Sequence, residues 1–124
     1  MKDGQQDECF GTSADYERAL KAVLSQHVPP RHLEMLQEHY HSPKHTITWE
    51  ALAEKVGYPT GGTVQLQFGI FAGRVAHELG LSEKPEGFWL YVLAKWAKRK
   101  DAKGHTQFML REPVREAMQR LGLV

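Results

Sequence analysis

Apolar residues recur at intervals of three and four positions in several stretches of this chain, and this spacing predicts amphipathic helices. The strongest pattern lies near the middle, where five apolar residues fall on one side of a single helix: Val64, Phe68, Phe71, Val75 and Leu79. Other predicted helices cover residues 14–28, begin at Pro30, extend from Trp49 to Gly57, and begin at Pro113. The chain is therefore predicted to be mostly helical.

Stretches rich in β-branched and aromatic residues predict three strands. The first is Thr46 to Thr48, and the second is Phe88 to Ala97, which carries apolar residues on both of its alternating faces, as a buried strand would. A polar tip at residues 98–105 separates it from a returning strand, Thr106 to Leu110. The economical interpretation is a β-hairpin.

Two helices separated by a short turn are predicted between Thr46 and Leu79. Thr48 is a suitable N-cap for the first helix, and Gly57 is a suitable left-handed residue at its end. A turn containing Pro59 and Gly61 then leads to the second, longer helix from Thr63. This pattern is typical of a helix-turn-helix.

The order of these elements resembles the winged helix-turn-helix family. The resemblance rests on the segments LAEKVGY (52–58), VQLQFG (64–69) and WLYVLA (89–94). It extends to winged-helix modules that occur alone or beside HNH-type nucleases in bacterial proteins. It implies an α+β, mostly α fold with a winged-helix domain at residues 30–124, an additional N-terminal helix at 14–28 and a C-terminal helix. Residues 1–13 are polar and are predicted to form a disordered or frayed tail.

In DNA-binding members of this family the second helix of the motif enters the major groove of the duplex. The resemblance places the helix from Thr63 in that role, with four polar residues outside the apolar stripe as nucleic-acid-binding candidates: Thr63, Gln65, Gln67 and Arg74. Glutamine pairs with adenine edges, and arginine pairs with guanine or phosphate. The alternative is that these residues are only the solvated side of a helix.

Cations gather on the predicted hairpin and would supply phosphate contacts. They are Lys95, Lys98, Arg99, Lys100 and Lys103, with Asp101 as the acidic residue among them. Each phosphate that they neutralise would release counterions and steepen the salt dependence of binding. The alternative is that a hairpin tip is charged because it is solvated.

Composition adds little to the nucleic-acid hypothesis, but it bears on the number of domains, the net charge and the cellular compartment. The 124 residues suit one domain, and 16 Lys and Arg against 15 Asp and Glu give a formal charge of +1, so any electrostatic argument must be local. The single cysteine, Cys9, excludes an internal disulfide and favours a reducing cytoplasm. No apolar run is long enough to cross a membrane.

No residue set suggests catalysis or a cofactor. His39, His41 and His45 lie close together, but no second group of ligands at a diagnostic spacing accompanies them, so we expect exposed histidines and no metal. Nucleotide-binding and nucleophile motifs are absent from the sequence, and the chain is not expected to be an enzyme. Trp96 is the tryptophan expected to be exposed, near the basic hairpin, where it could stack on a base.

The sequence therefore predicts a non-enzymatic protein that binds double-stranded DNA, as a regulator or as the targeting module of a nucleic-acid-processing or defence assembly. The alternative is a winged helix that binds a protein partner or forms a homodimer. In this case it would be an adaptor, or a phage- or plasmid-encoded inhibitor of the anti-CRISPR or anti-restriction type, docking on a bacterial complex. Three features favour the alternative: the near-neutral total charge, the additional amphipathic N-terminal helix, and a patch of small residues formed by Gly69, Ala72, Gly73 and Ala76.

Overall fold

The computed structural model describes residues 10–124, so Cys9 and most of the predicted tail lie outside the described residues. It contains α1 (Ser13–Leu24), α2 (Pro30–His41), β1 (Thr46–Ile47), α3 (Trp49–Val56), α4 (Gly61–Glu78), β2 (Ala94–Trp96), β3 (Phe108–Leu110) and α5 (Glu112–Arg120). Three short 3-10 segments, Pro43–His45, Pro85–Gly87 and Trp89–Val92, join them. The predicted α+β, mostly α class is confirmed.

The strands form one antiparallel sheet in the order β1-β3-β2. Ile47 and Phe108 are paired across β1 and β3, and both are buried on the inner face of the sheet. The next row, Thr46, Met109 and Lys95, lies on the opposite face because neighbouring residues of a strand point to opposite sides. The predicted hairpin between β2 and β3 is present.

Helix α4 is the centre of the core. Its apolar stripe is buried as predicted, with Leu79 half-buried at its end. The rings of Trp49 from α3 and Phe68 from α4 lie 5.1 Å apart, and Trp49 also stacks on Phe108 of β3 at 4.4 Å. Three elements therefore meet at one tryptophan, and this contact holds the sheet against the helices.

The ends of the helices follow capping rules. Thr48 accepts a hydrogen bond from the backbone N–H of Ala51, and Gly57 ends α3 in the left-handed region, as predicted. The N-cap of α1 is Thr12, and Asp15 completes a capping box with it. Helix α1 ends at Leu24, four residues before the predicted end, and the chain turns toward Pro29.

The prediction of a long strand from Phe88 to Ala97 is wrong. Residues Trp89–Val92 of this stretch form a 3-10 turn that inserts Leu90 and Val92 into the core. Its carbonyl groups receive hydrogen bonds from distant side chains, Tyr16 to Val92 at 2.5 Å and Arg111 to Tyr91 at 2.8 Å. These carbonyl groups therefore do not need a neighbouring strand. Within the stretch from Phe88 to Ala97, Ala94–Trp96 is the part that pairs with β3.

In the sequence, the spacing of Leu33, Leu36 and Tyr40 predicts the buried side of the helix from Pro30, but the structure buries a different side of α2. Its buried residues are His32, Met35, Leu36 and His39, whereas Leu33 and Tyr40 are half-buried. The predicted exposure of His39 is wrong. Burial lowers the pKa of His39 to about 4.

His39 connects α2 to the hairpin. Its Nε2 lies 2.9 Å from the carbonyl oxygen of Phe108, and because a carbonyl only accepts, Nε2 carries the proton of the neutral ring. Protonating the ring would place a charge in the core. The hydrogen bond that joins α2 to β3 is therefore one that a neutral His39 makes without burying a charge.

We predict that the protein loses stability in a defined acidic range. With a pKa of about 4 in the folded chain and 6.5 in the unfolded chain, the unfolded state binds more protons between these values. The His39 contribution is complete above pH 6.5 and falls, by about 3 kcal/mol in total, as the pH drops to about 4. Urea unfolding at several pH values measures it.

The control replaces an exposed histidine of α4. His77→Gln should keep the full acidic loss of stability, whereas His39→Gln should flatten it because the amide can still donate to Phe108 but does not titrate. An equal pH profile in wild type and His39→Gln would contradict this assignment.

Two glycines of α4 allow a second prediction. A side chain at Gly69 would meet nothing within 4 Å, whereas a Cβ at Gly73 would lie 3.1 Å from the Trp89 ring. Gly69→Ala should therefore stabilise the protein by about 1 kcal/mol through helix propensity. Gly73→Ala should fall short of this gain because Trp89 must move. Equal effects in urea unfolding would show that Trp89 does not pack closely on α4.

Candidate nucleic-acid interface

A basic cleft lies on the outer face of the sheet. We use this name for a cavity of about 890 Å³ whose floor is the row Thr46, Met109 and Lys95. Cations from three parts of the chain line it: Lys44 from the segment after α2, Lys95, Lys98 and Arg99 from the hairpin, and Arg111 from the start of α5. Glu86 is the acidic residue among the described lining residues.

The hairpin holds its cations in a defined conformation beyond the two short strands. The backbone N–H of Ala97 donates to the Gln107 carbonyl at 2.9 Å, and the Gln107 side chain donates to the Arg99 carbonyl at 3.1 Å. At the tip, the Asp101 carboxylate accepts from the backbone N–H groups of Lys103 and His105. These hydrogen bonds lower the pKa of Asp101. The one acid predicted within the hairpin therefore closes its turn.

The opposite wall carries a strained backbone. Lys44 and His45 both have positive φ angles, 54° and 57°, which side-chain-bearing residues rarely adopt. His45 Nδ1 lies 2.6 Å from the Tyr40 carbonyl, and the Thr46 hydroxyl donates to the Lys44 carbonyl at 2.8 Å. The loop is thus fixed with Lys44 at the edge of the cleft.

Arg111 belongs to both the scaffold and the cleft. Its Nε donates to the Tyr91 carbonyl, and its guanidinium lies 5.1 Å above the ring of Phe10. With a relative exposure of 7%, it is nearly enclosed. Its charge adds to the positive potential of the cleft, and its contacts also help to hold the fold together at this point.

The hairpin residues predicted to bind nucleic acid divide into two groups. Lys95, Lys98 and Arg99 line the cleft, while Lys100 and Lys103 are exposed further out at the hairpin tip. The structure adds Lys44 and Arg111, which sequence reasoning missed. Lys44 is far from the hairpin in sequence and reaches it through the pairing of β1 with β3. Arg111 directly follows β3, and it was missed because its place in the cleft depends on the packing of α5.

The predicted α4 residues lie elsewhere. Gln67 accepts a hydrogen bond from His32 Nε2 at 2.8 Å, and Arg74 donates to the Gln26 side chain at 2.7 Å. Thr63 bonds with Thr60 in the helix cap, and Gln65 is exposed. None of these four described residues lines the basic cleft. Two of the four are thus engaged within the chain, Gln67 with α2 and Arg74 with the segment that follows α1.

The outward side of α4 is apolar. Leu66 is 63% exposed and Ile70 46%, and both line a shallow groove with Phe88 and Trp89. We call these four residues the α4 surface. The signal was present in the sequence, because Leu66 and Ile70 are four residues apart and fall opposite the buried stripe. The segment at Pro85–Gly87 lies between this surface and the cleft, with Glu86 lining the cleft and Gly87 lining the groove.

Other kinds of site find little support in the described part of the chain. Within residues 10–124 there is no group of three or more His, Cys, Asp or Glu side chains placed to hold a metal ion. The same residues include no helix whose length and apolar character would let it cross a membrane.

Comparisons of the chain with protein-family models, with curated proteins and with solved structures give no match.

Proposed function

We propose that the chain is a winged-helix protein that binds nucleic acid through the basic cleft and its hairpin, without catalysing a reaction. The winged-helix assignment is supported by the order of the elements and by the sheet order β1-β3-β2, with a hairpin after α4. The observation that carries the functional proposal is the convergence of five cations on one cleft, at the residues Lys44, Lys95, Lys98, Arg99 and Arg111. Double-stranded DNA is the expected partner, in a regulator or in the targeting module of a processing or defence assembly.

Phosphate contact, and not base reading by α4, is the mode that this geometry favours. Phosphates are bound by Lys and Arg regardless of sequence, whereas base reading needs polar side chains that are free to reach base edges. Gln67 and Arg74 are engaged within the chain, and Leu66 and Ile70 occupy the outermost positions of the helix. We therefore propose binding with little sequence preference.

The test compares two variants that remove the same charge. Lys98→Gln/Arg99→Gln/Lys100→Gln removes three hairpin cations, and Arg18→Gln/Lys21→Gln/Arg120→Gln removes three exposed cations from α1 and α5. Affinity for a mixed-sequence duplex is measured by anisotropy over a range of salt concentrations. The hairpin variant should bind roughly tenfold or more weakly at low salt, and its log–log salt slope should be shallower by about 2 to 3, since each phosphate contributes about 0.9.

The control variant should retain the wild-type slope, because its cations lie outside the cleft. Equal losses of affinity in both variants would mean that binding depends only on the total charge of the protein. That result would count against the cleft as the binding site. Absence of binding by the wild-type protein even at low ionic strength would remove the proposed function.

A second candidate function, binding to another protein, is favoured by the α4 surface. Exposed apolar residues in one contiguous area are a common mark of protein interfaces. Leu66 and Ile70 project from the helix beside Gly69, where a partner could approach closely. Such a partner would be a second copy of this chain in a homodimer, or a protein of a larger bacterial complex to which the chain is an adaptor or inhibitor.

Of the two possible kinds of partner, a second copy of the chain is the one whose binding is measured most directly. Sedimentation velocity at increasing concentration should show a dimer that Leu66→Gln/Ile70→Gln abolishes, with stability changed by no more than about 0.5 kcal/mol because both residues are exposed. Trp96→Gln removes an exposed apolar side chain from the cleft and should leave the dimer intact. A monomer at all concentrations would exclude the homodimer.

A further inference from the structure

Trp96 is the most exposed large apolar residue among those the structure describes, with a relative exposure of 66%. It ends β2, which is an edge strand, so it has a strand neighbour on one side only. The other two tryptophans are packed into the protein, Trp49 in the core and Trp89 against α4. The fold therefore gives no packing reason for a tryptophan at this position.

The surroundings of Trp96 are aromatic and cationic. The ring of Tyr91 lies 6.3 Å away at an interplanar angle of 69°, an edge-to-face contact that limits the motion of the indole. Both rings line the basic cleft with Lys98 and Arg99. We call these four residues one wall of the cleft, and it combines two aromatic rings with two positive charges.

We propose that this wall binds unpaired nucleotides, with a base stacked on Trp96 and the flanking phosphates held by Lys98 and Arg99. An aromatic platform beside cations is the usual arrangement for single-stranded nucleic acid, because every base has a π-face and every nucleotide a phosphate. The inference rests on the proposed nucleic-acid binding and names the form of nucleic acid that the cleft accepts.

The size of the cleft agrees with this ligand. Pockets for small organic ligands commonly have volumes of roughly 300 to 1,000 Å³, and the cleft, at about 890 Å³, falls within this range. A duplex keeps the faces of its internal bases covered by their neighbours, so these faces are not free to stack on Trp96. The platform is therefore specific for single strands, overhangs or flipped bases, while the cations serve paired and unpaired forms alike.

An apolar protein surface is a less suitable ligand for the same wall. Binding it would take Lys98 and Arg99 out of water without an opposite charge to compensate them. The α4 surface, whose groove lacks such a cluster of cations, is better suited to binding an apolar protein surface.

The test measures three ligands with the full chain by fluorescence anisotropy. The ligands are a labelled thymidine oligonucleotide, an abasic oligonucleotide of the same length and charge, and a blunt duplex. Trp96→Ala should weaken binding of the thymidine strand by about 5- to 150-fold, the range expected for the loss of one stacked base. Binding of the abasic strand and of the duplex should change by less than about twofold, because phosphate contacts remain.

Two further variants control for structure. Trp96→Phe should restore part of the affinity for the thymidine strand, since it keeps an aromatic face. Leu66→Ala, at a 63% exposed residue of the α4 surface, should leave all three affinities unchanged.

The outcomes separate the two proposals. If all three ligands bind and Trp96→Ala affects none of them, or affects the abasic strand and the duplex as much as the thymidine strand, base stacking is refuted while the cationic cleft stands. If none of the three ligands binds at low ionic strength, the nucleic-acid function itself is refuted, and the inference with it.

Discussion

The contact of Trp49 with Phe68 and Phe108 is the interaction on which the rest of the structure depends. It joins α3, α4 and β3 at one point, and His39 supports it from α2 through the Phe108 carbonyl. The inner face of the sheet is thereby fixed to the helices, which leaves the outer face and the hairpin directed away from the core. Lys44, Lys98 and Arg99 are exposed on that side, and this separation allows an apolar interior and a basic cleft within a chain of almost neutral charge.

The two surfaces of the protein have different chemistry. The cleft combines charge with two exposed or half-exposed rings, whereas the groove at the α4 surface is mostly apolar and is also lined by three glycines, Gly62, Gly69 and Gly87. The backbone at Lys44 and at Glu86 adopts left-handed conformations at the rim of the cleft, an energetically unfavourable choice that is more common where geometry serves a function. Nucleic-acid binding through the cleft and protein binding through α4 are compatible, because the lining residues of the two areas do not overlap. A targeting module would need both.

Periodicity in the sequence predicted the elements whose burial is local. The stripe of α4, the cap at Thr48 and the left-handed Gly57 depend on neighbouring residues, and all three are confirmed. The 3-10 segment after Phe88 was not predictable in this way, because its carbonyls are satisfied by side chains from α1 and α5. The burial of His32 and His39 could have been predicted from their spacing. Together with Met35 and Leu36 they follow the pattern of a buried helix side, although histidine is usually counted as polar. The cleft could not be predicted without the tertiary fold, because the pairing of β1 with β3 brings Lys44 to the hairpin.

The most direct measurement of the central proposal is chemical-shift mapping of backbone amides during titration with nucleic acid at low salt. We expect the largest shifts along the walls of the basic cleft, at Lys44, at residues 95–99 and at residues 107–109, with α4 residues such as Leu66 and Ile70 little changed. Shifts concentrated on α4 between residues 62 and 70 would instead make that helix the contacting element. That result, or the absence of shifts at any site, would contradict the account given for the cleft.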